Sequence, residues 1–138
     1  MKKLVLIFTL FLSLNALATE RTPFTNIEFG IFAGWGNFIK VQNPSYFNGD
    51  KSHFLLEVNG KGYKDILKEA KELYGKDFKC RLSEHFVESM GELGVLVDQT
   101  VNLKLYIFDG GHEVITVENV PVTAENLEEI QFETNHCK

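Results

Sequence analysis

The chain has 138 residues, 44% of them hydrophobic, with 14 basic against 19 acidic side chains and a formal charge of −5. An acidic chain is repelled by nucleic acid and by anionic membrane surfaces, so neither is an expected partner. The length suits one hydrophobic core and is too short for two.

Met1-Lys2-Lys3, an apolar run from Leu4 to Leu14 and the small-residue site Ala16-Leu17-Ala18 have the pattern of a secretory signal peptide. The apolar run is shorter than the ~20 residues a membrane-spanning helix needs. Cleavage after Ala18 is therefore expected to export residues 19–138 as a single domain, to the periplasm or the medium. No transmembrane segment is expected after cleavage. The expected mature chain carries a charge of −7, because Lys2 and Lys3 leave with the leader.

After a polar lead-in containing Pro23, Ile27 to Trp35 reads as a strand. Ile27, Phe29, Ile31, Ala33 and Trp35 fall on one face, and Phe32 falls on the other among glycines. Gly30, Gly34 and Gly36 mark a bulge or a place where a ring or another backbone comes close. A turn at Gly36-Asn37 leads into a second strand, Phe38 to Gln42, and residues 43–52 read as a loop. His53 to Val58 is a third strand and Asn59-Gly60-Lys61-Gly62 a turn. Tyr63, Ile66, Leu67, Ala70, Leu73 and Tyr74 then recur with helical period on one face. Gly75 stands at the position of a C-terminal cap.

Asp77 to Arg81 reads as a strand bearing Cys80. Ser83 to Gly94 reads as a short helix capped by Ser83 and ended by Gly91 or Gly94; a bulged continuation of the preceding strand is the alternative. Gly94 to Val97 reads as a brief strand. Val101 to Phe108 and His112 to Val120 form a hairpin. A three-residue loop, Asp109-Gly110-Gly111 with Gly111 left-handed, pairs Leu105 with Ile115, Lys104 with Thr116, Leu103 with Val117 and Asn102 with Glu118. Thr123 caps a helical turn to Ile130, and Ile130 to Glu133 reads as a last strand. The element order predicts an α+β fold: a small antiparallel sheet, barrel-like or partly open in the manner of an oligonucleotide-binding barrel, packed on one amphipathic helix.

The sequence carries no Gly-x-Ser-x-Gly, His-Glu-x-x-His, P-loop or EF-hand pattern. A non-catalytic domain without a cofactor is the expectation. Asn59-Gly60-Lys61-Gly62 before a helix resembles a small anion cradle, although glycines at such a turn ordinarily serve backbone geometry. Cys80 and Cys137 are the only cysteines and, in an exported chain, the expected disulfide. The competing use of Cys80, His85, His136 and Cys137 is a zinc site, or a thiol enzyme with His85 or His112 as base. His53 and His112 read as exposed loop histidines, and Glu125, Glu128, Glu129 and Glu133 as a solvated face.

The aromatic residues Phe32, Trp35, Phe38, Tyr46 and Phe47 form the candidate binding surface, since Trp and Tyr beside Gly and Asn can line a groove. Phe29 and Trp35 share a face with Ile27 and Ile31 and are expected in the core, which leaves Phe32 as the exposed ring. The leading functional expectation is an exported binding or interaction domain whose ligand or protein partner contacts this region or a sheet edge. The alternatives are the zinc or thiol chemistry above and an envelope structural or assembly component.

Overall fold

A computed structural model describes residues 20–49, 51–133 and 136–137. The expected signal segment, residues 1–18, lies outside the described residues. Alternating apolar and polar side chains form five main strands: β1 (Asn26–Phe32), β2 (Gly36–Gln42), β3 (Ser52–Val58), β5 (Thr100–Phe108) and β6 (His112–Pro121). A two-residue strand, β4 (Lys61–Gly62), folds back on β3. The helices are α1 (Tyr63–Tyr74), α2 (Phe78–Glu84), α3 (Phe86–Glu92) and α4 (Ala124–Glu133), with a single 3₁₀ turn at Gly75–Asp77. All strand pairs are antiparallel, in the order β1-β2-β3-β5-β6 with β4 beside β3. The expected α+β architecture is the one observed, with a sheet that stays open among the described residues. A single bridge between Thr22, before β1, and Thr123, after β6, stitches the two ends of the curled sheet together.

One face of the sheet and the inner faces of the helices make the core. Val41, Val58, Leu103 and Leu105 on the strands meet Ile66, Leu67 and Ala70 of α1, with Leu82, Phe86 and Met90 of α2 and α3. Tyr63–Tyr74 is helical over the length its periodicity predicts, and Gly75 follows at φ +59. Leu73 departs from the predicted stripe and stands 54% exposed. The β5–β6 register is also as expected for three pairs, Leu105 with Ile115, Lys104 with Thr116 and Leu103 with Val117. Between Val101 and Leu103 the register shifts, so the expected partnership of Asn102 with Glu118 is replaced by a bulge. There Asn102 Oδ1 accepts from the Asn119 amide. The positive φ in the hairpin loop belongs to Gly110, not Gly111.

Several local expectations are overturned by tertiary packing. Asp77 to Arg81 is helical, and Ser83 lies inside α2 with Oγ donating to the Lys79 carbonyl at 2.7 Å, so it caps nothing. His85 (φ −125, ψ 45) separates α2 from α3. Ser89 Oγ donates to the Arg81 carbonyl across that break, at 2.8 Å. Helix α3 ends at Glu92, and just beyond it the amides of Gly94 and Val95 return to the carbonyls of Gly91 and Met90, the paired bonds of a Schellman cap with Gly94 in the left-handed position. Residues 94–97 form no strand. Thr123 does cap α4, its Oγ1 accepting from the Asn126 amide at 3.1 Å, but the helix continues through the expected last strand to Glu133.

The β1–β2 turn also moves. Phe32 pairs with Gly36, so the loop is Ala33-Gly34-Trp35 and not Gly36-Asn37. The Trp35 amide donates to the Phe32 carbonyl, and Gly34 at φ +86 fills the position of a type II turn that a Cβ would penalise. β2 pairs with β3 only at Lys40–Phe54 and Val41–His53. Further along, β5 occupies one edge of β3 and β4 takes the other at Glu57 and Val58. The tip of the β1–β2 hairpin therefore has no place beside β3 and peels away from the sheet.

Candidate functional site

The peeled hairpin bounds an aromatic concavity. Because His53, Leu55, Leu105 and Ile107 point into the core, the alternation of β3 and β5 sends Phe54 and Tyr106 to the opposite, outer face, where they pair with each other. A chain of rings runs across that face. Phe38 meets Phe32 at 5.0 Å and Phe54 at 5.4 Å between centroids. Trp35 folds over from the hairpin tip onto Tyr106, at 5.4 Å. His112 contacts both Tyr106 and Phe108 and is hydrogen-bonded through Nδ1 to the Tyr106 hydroxyl. Phe32, Ala33, Trp35, Phe54, Tyr106, Phe108 and His112 enclose a groove of about 320 Å³.

Gly30 explains how the hairpin bends over. A Cβ at this position would lie 2.3 Å from Cζ of Phe38, so the phenyl ring occupies the space a side chain would fill. This is the close approach of a ring that the run of glycines in β1 anticipates. Phe32 is 50% exposed, Trp35 61% and Phe108 53%. Three large rings are thus held in water on a rigid sheet, where burial against another surface would be favourable.

The predicted aromatic residues divide. Phe32 and Trp35 line the groove, and Trp35 belongs to the exposed turn, not to the core. Phe38 is half-buried beneath Phe32 and Phe54 and supports the groove from below. Tyr46 is exposed in the 43–52 loop, outside the groove lining. Phe47 is a core residue and not a binding surface: it is 4% exposed and packs against Phe24 and His53. Phe29 is partly buried against Phe78 and His136. Sequence reasoning missed Phe54, Tyr106, Phe108 and His112. Their signal is an aromatic residue on the polar face of two strands, visible only once those strands are known to be neighbours.

Of the two histidines expected to be exposed, His112 is exposed at the start of β6 and His53 is not. His53 is a core residue at 1% exposure, not a loop side chain. Its Nδ1 donates to the Lys51 carbonyl at 2.8 Å and its Nε2 accepts from the Asn48 amide at 3.2 Å, which fixes a neutral tautomer. Burial pushes its pKa below the ordinary histidine value. The loop from Asn43 to Lys51 is held from inside by this ring.

Cys80 and Cys137 are joined in a disulfide, with Cα atoms 4.6 Å apart and a separation of 57 positions in sequence. The side-chain donor atoms of Cys80, His85 and Cys137 lie within 4.8 Å of one another. With the sulfurs bonded to each other, neither offers the thiolate that zinc ligation or nucleophilic attack requires. His136 is turned away from the cluster and its Nε2 donates to the Ile27 carbonyl at 2.9 Å, which covers that point of the β1 edge. The Asn59–Gly62 turn forms no open anion cradle either. Lys61 Nζ donates to the Leu93 carbonyl and pairs with Glu69 at 2.8 Å. Glu125, Glu128 and Glu129 are exposed on α4.

No protein family model, no characterised protein sequence and no solved structure matches this chain, so its function is read from its own residues.

Proposed function

We propose that this protein is an exported, non-catalytic binding domain whose recognition surface is the aromatic groove beneath the β1–β2 hairpin. The observation that carries the reading is the continuous row of rings from Phe32 through Phe54 to Tyr106, capped by the exposed indole of Trp35. Its lining is mostly apolar, and one of its few polar groups, the Tyr106 hydroxyl, is bonded to Nδ1 of His112. The groove accordingly suits an apolar or aromatic body more than a sugar, which would need unpaired donors and acceptors around its rim. At about 320 Å³ it has the size of a small-molecule cleft. Export is supported by the leader-like first 18 residues and by the disulfide, a bond that persists in oxidising compartments.

Trp35 is the single tryptophan of the chain and serves as the reporter. Titration with the neutral aromatic probe N-phenyl-1-naphthylamine should saturate at one site, with Trp35 emission quenched in step. Tyr106→Ala should weaken binding by about tenfold, the value of a lost ring contact of roughly 1–1.5 kcal/mol. Binding that does not saturate, or that is unchanged in both Tyr106→Ala and Trp35→Ala with the fold intact by circular dichroism, removes the groove from consideration.

A further inference from the structure

The hairpin that overhangs the aromatic groove bounds a second concavity on its other side, against α1. This one measures about 250 Å³, and its lining includes Trp35, Asn37, Tyr63, Lys64, Lys68 and Lys71. Trp35 is a wall of both clefts, so the two adjoin at the indole. We propose that the groove's ligand is a small anionic amphiphile, an apolar or aromatic body carrying one carboxylate, sulfate or phosphate. The body lies against Trp35 and Tyr106 and the acid is held by Lys64, Lys68 and Lys71. This rests on the binding function proposed above and names its ligand class.

Charge complementarity carries the assignment. Lys64, Lys68 and Lys71 sit at i, i+4 and i+7, on one side of α1 and beside its buried stripe. Like charges at i and i+4 repel, so a helix gains nothing from this spacing unless an anion lies between them. Asp65, Glu69 and Glu72 are on the same helix, yet among the described residues no carboxylate lies within ion-pair distance of Lys64, Lys68 or Lys71. Glu69 pairs with Lys61. Lys71 Nζ rests 5.2 Å above the Phe78 ring, which holds one ammonium at the rim. Lys61, Arg81 and Lys104 have acidic partners, whereas Lys40, Lys51, Lys76 and Lys79 lack one among the described residues just as the α1 lysines do; what sets Lys64, Lys68 and Lys71 apart is that all three line one cleft. On a chain of net charge −5, three uncompensated lysines around a tryptophan-walled cleft make a local positive site for a negative group.

Two probes that share the same rings separate this inference from the reading beneath it. 1-Anilinonaphthalene-8-sulfonate carries a sulfonate, and N-phenyl-1-naphthylamine does not. At low salt the sulfonate should bind about tenfold more tightly, the value of a charge-assisted contact. Lys64→Gln with Lys68→Gln should abolish that preference and leave binding of the neutral probe unchanged. Raising the salt should erode the preference by screening. Equal affinity for the two probes, or a preference that survives the double substitution, overturns the anionic ligand and leaves the aromatic groove standing. If neither probe binds at saturable stoichiometry, the binding function itself falls.

Discussion

Opening the Cys80–Cys137 bond tests whether the tail is a structural part of the fold. The bond closes a loop of 57 residues. In the chain-entropy description the unfolded state then loses about 14 cal/mol/K, or about 4 kcal/mol at 25 °C. The Cys80→Ala/Cys137→Ala variant should be less stable by nearly that amount, and by slightly more if the released tail also surrenders the bond from His136 to the Ile27 carbonyl. Urea unfolding followed by far-ultraviolet circular dichroism is the assay. With a slope of roughly 1.5 kcal/mol per molar, the midpoint should fall by about 2.5 M. Wild-type protein with reductant should unfold at the same midpoint as the variant, because both lose the same constraint. A shift below about 0.5 M would mean that the tail is not fastened to α2 in the folded state, or that the reduced unfolded chain is already constrained. Either outcome refutes the reasoning.

Two further perturbations read the hairpin and the buried ring. Gly30→Ala would ordinarily stabilise a strand by about 0.5–1 kcal/mol. Here the Cβ would lie 2.3 Å from the Phe38 ring, so the variant should instead be destabilised by about 1–3 kcal/mol and shift the Trp35 emission. A stabilised variant with unchanged emission would show that the ring does not occupy that space. His53 is held neutral, with its folded pKa below the unfolded value near 6.5. Its contribution to stability should be constant above pH 6.5 and fall as the pH drops toward the lowered folded pKa, by at most ~1.4 kcal/mol per pH unit. Protonation would also cost the Asn48 amide its acceptor. The difference in stability between wild type and His53→Gln, measured from pH 8 to pH 5, should shrink over that interval. A difference independent of pH would place His53 in water.

The periodic segments were legible because their side chains repeat with the geometry of the element. The α1 stripe at 3.6 residues and the alternation of β5 and β6 each name a buried face, and a one-residue slip of the hairpin would set Leu105 against Thr116. Cysteine number carried the disulfide for a similar reason, since two cysteines, if they bond within the chain, have only each other. Asp77 to Arg81 defeated the local reading because five residues cannot distinguish a strand from a helix. That choice was made by the packing of Leu82 and Phe86 beneath the sheet. The groove was half legible: Phe32 and Trp35 flank the loop glycine that bends the hairpin, whereas Phe47 reads the same in sequence and is buried.

By itself, the sequence determined the α+β class of the fold, its longest helix, the register of its last hairpin and the pairing of its sulfurs. All of these follow from periods or counts along the chain. Only the tertiary structure decided that β4 displaces β2 from the edge of β3 and throws the hairpin tip outward. Two residues of pairing at Glu57 and Val58 have no signature in their neighbours. That displacement brings Trp35 over Tyr106, 71 positions away in the chain, and no local pattern encodes a contact made across β3.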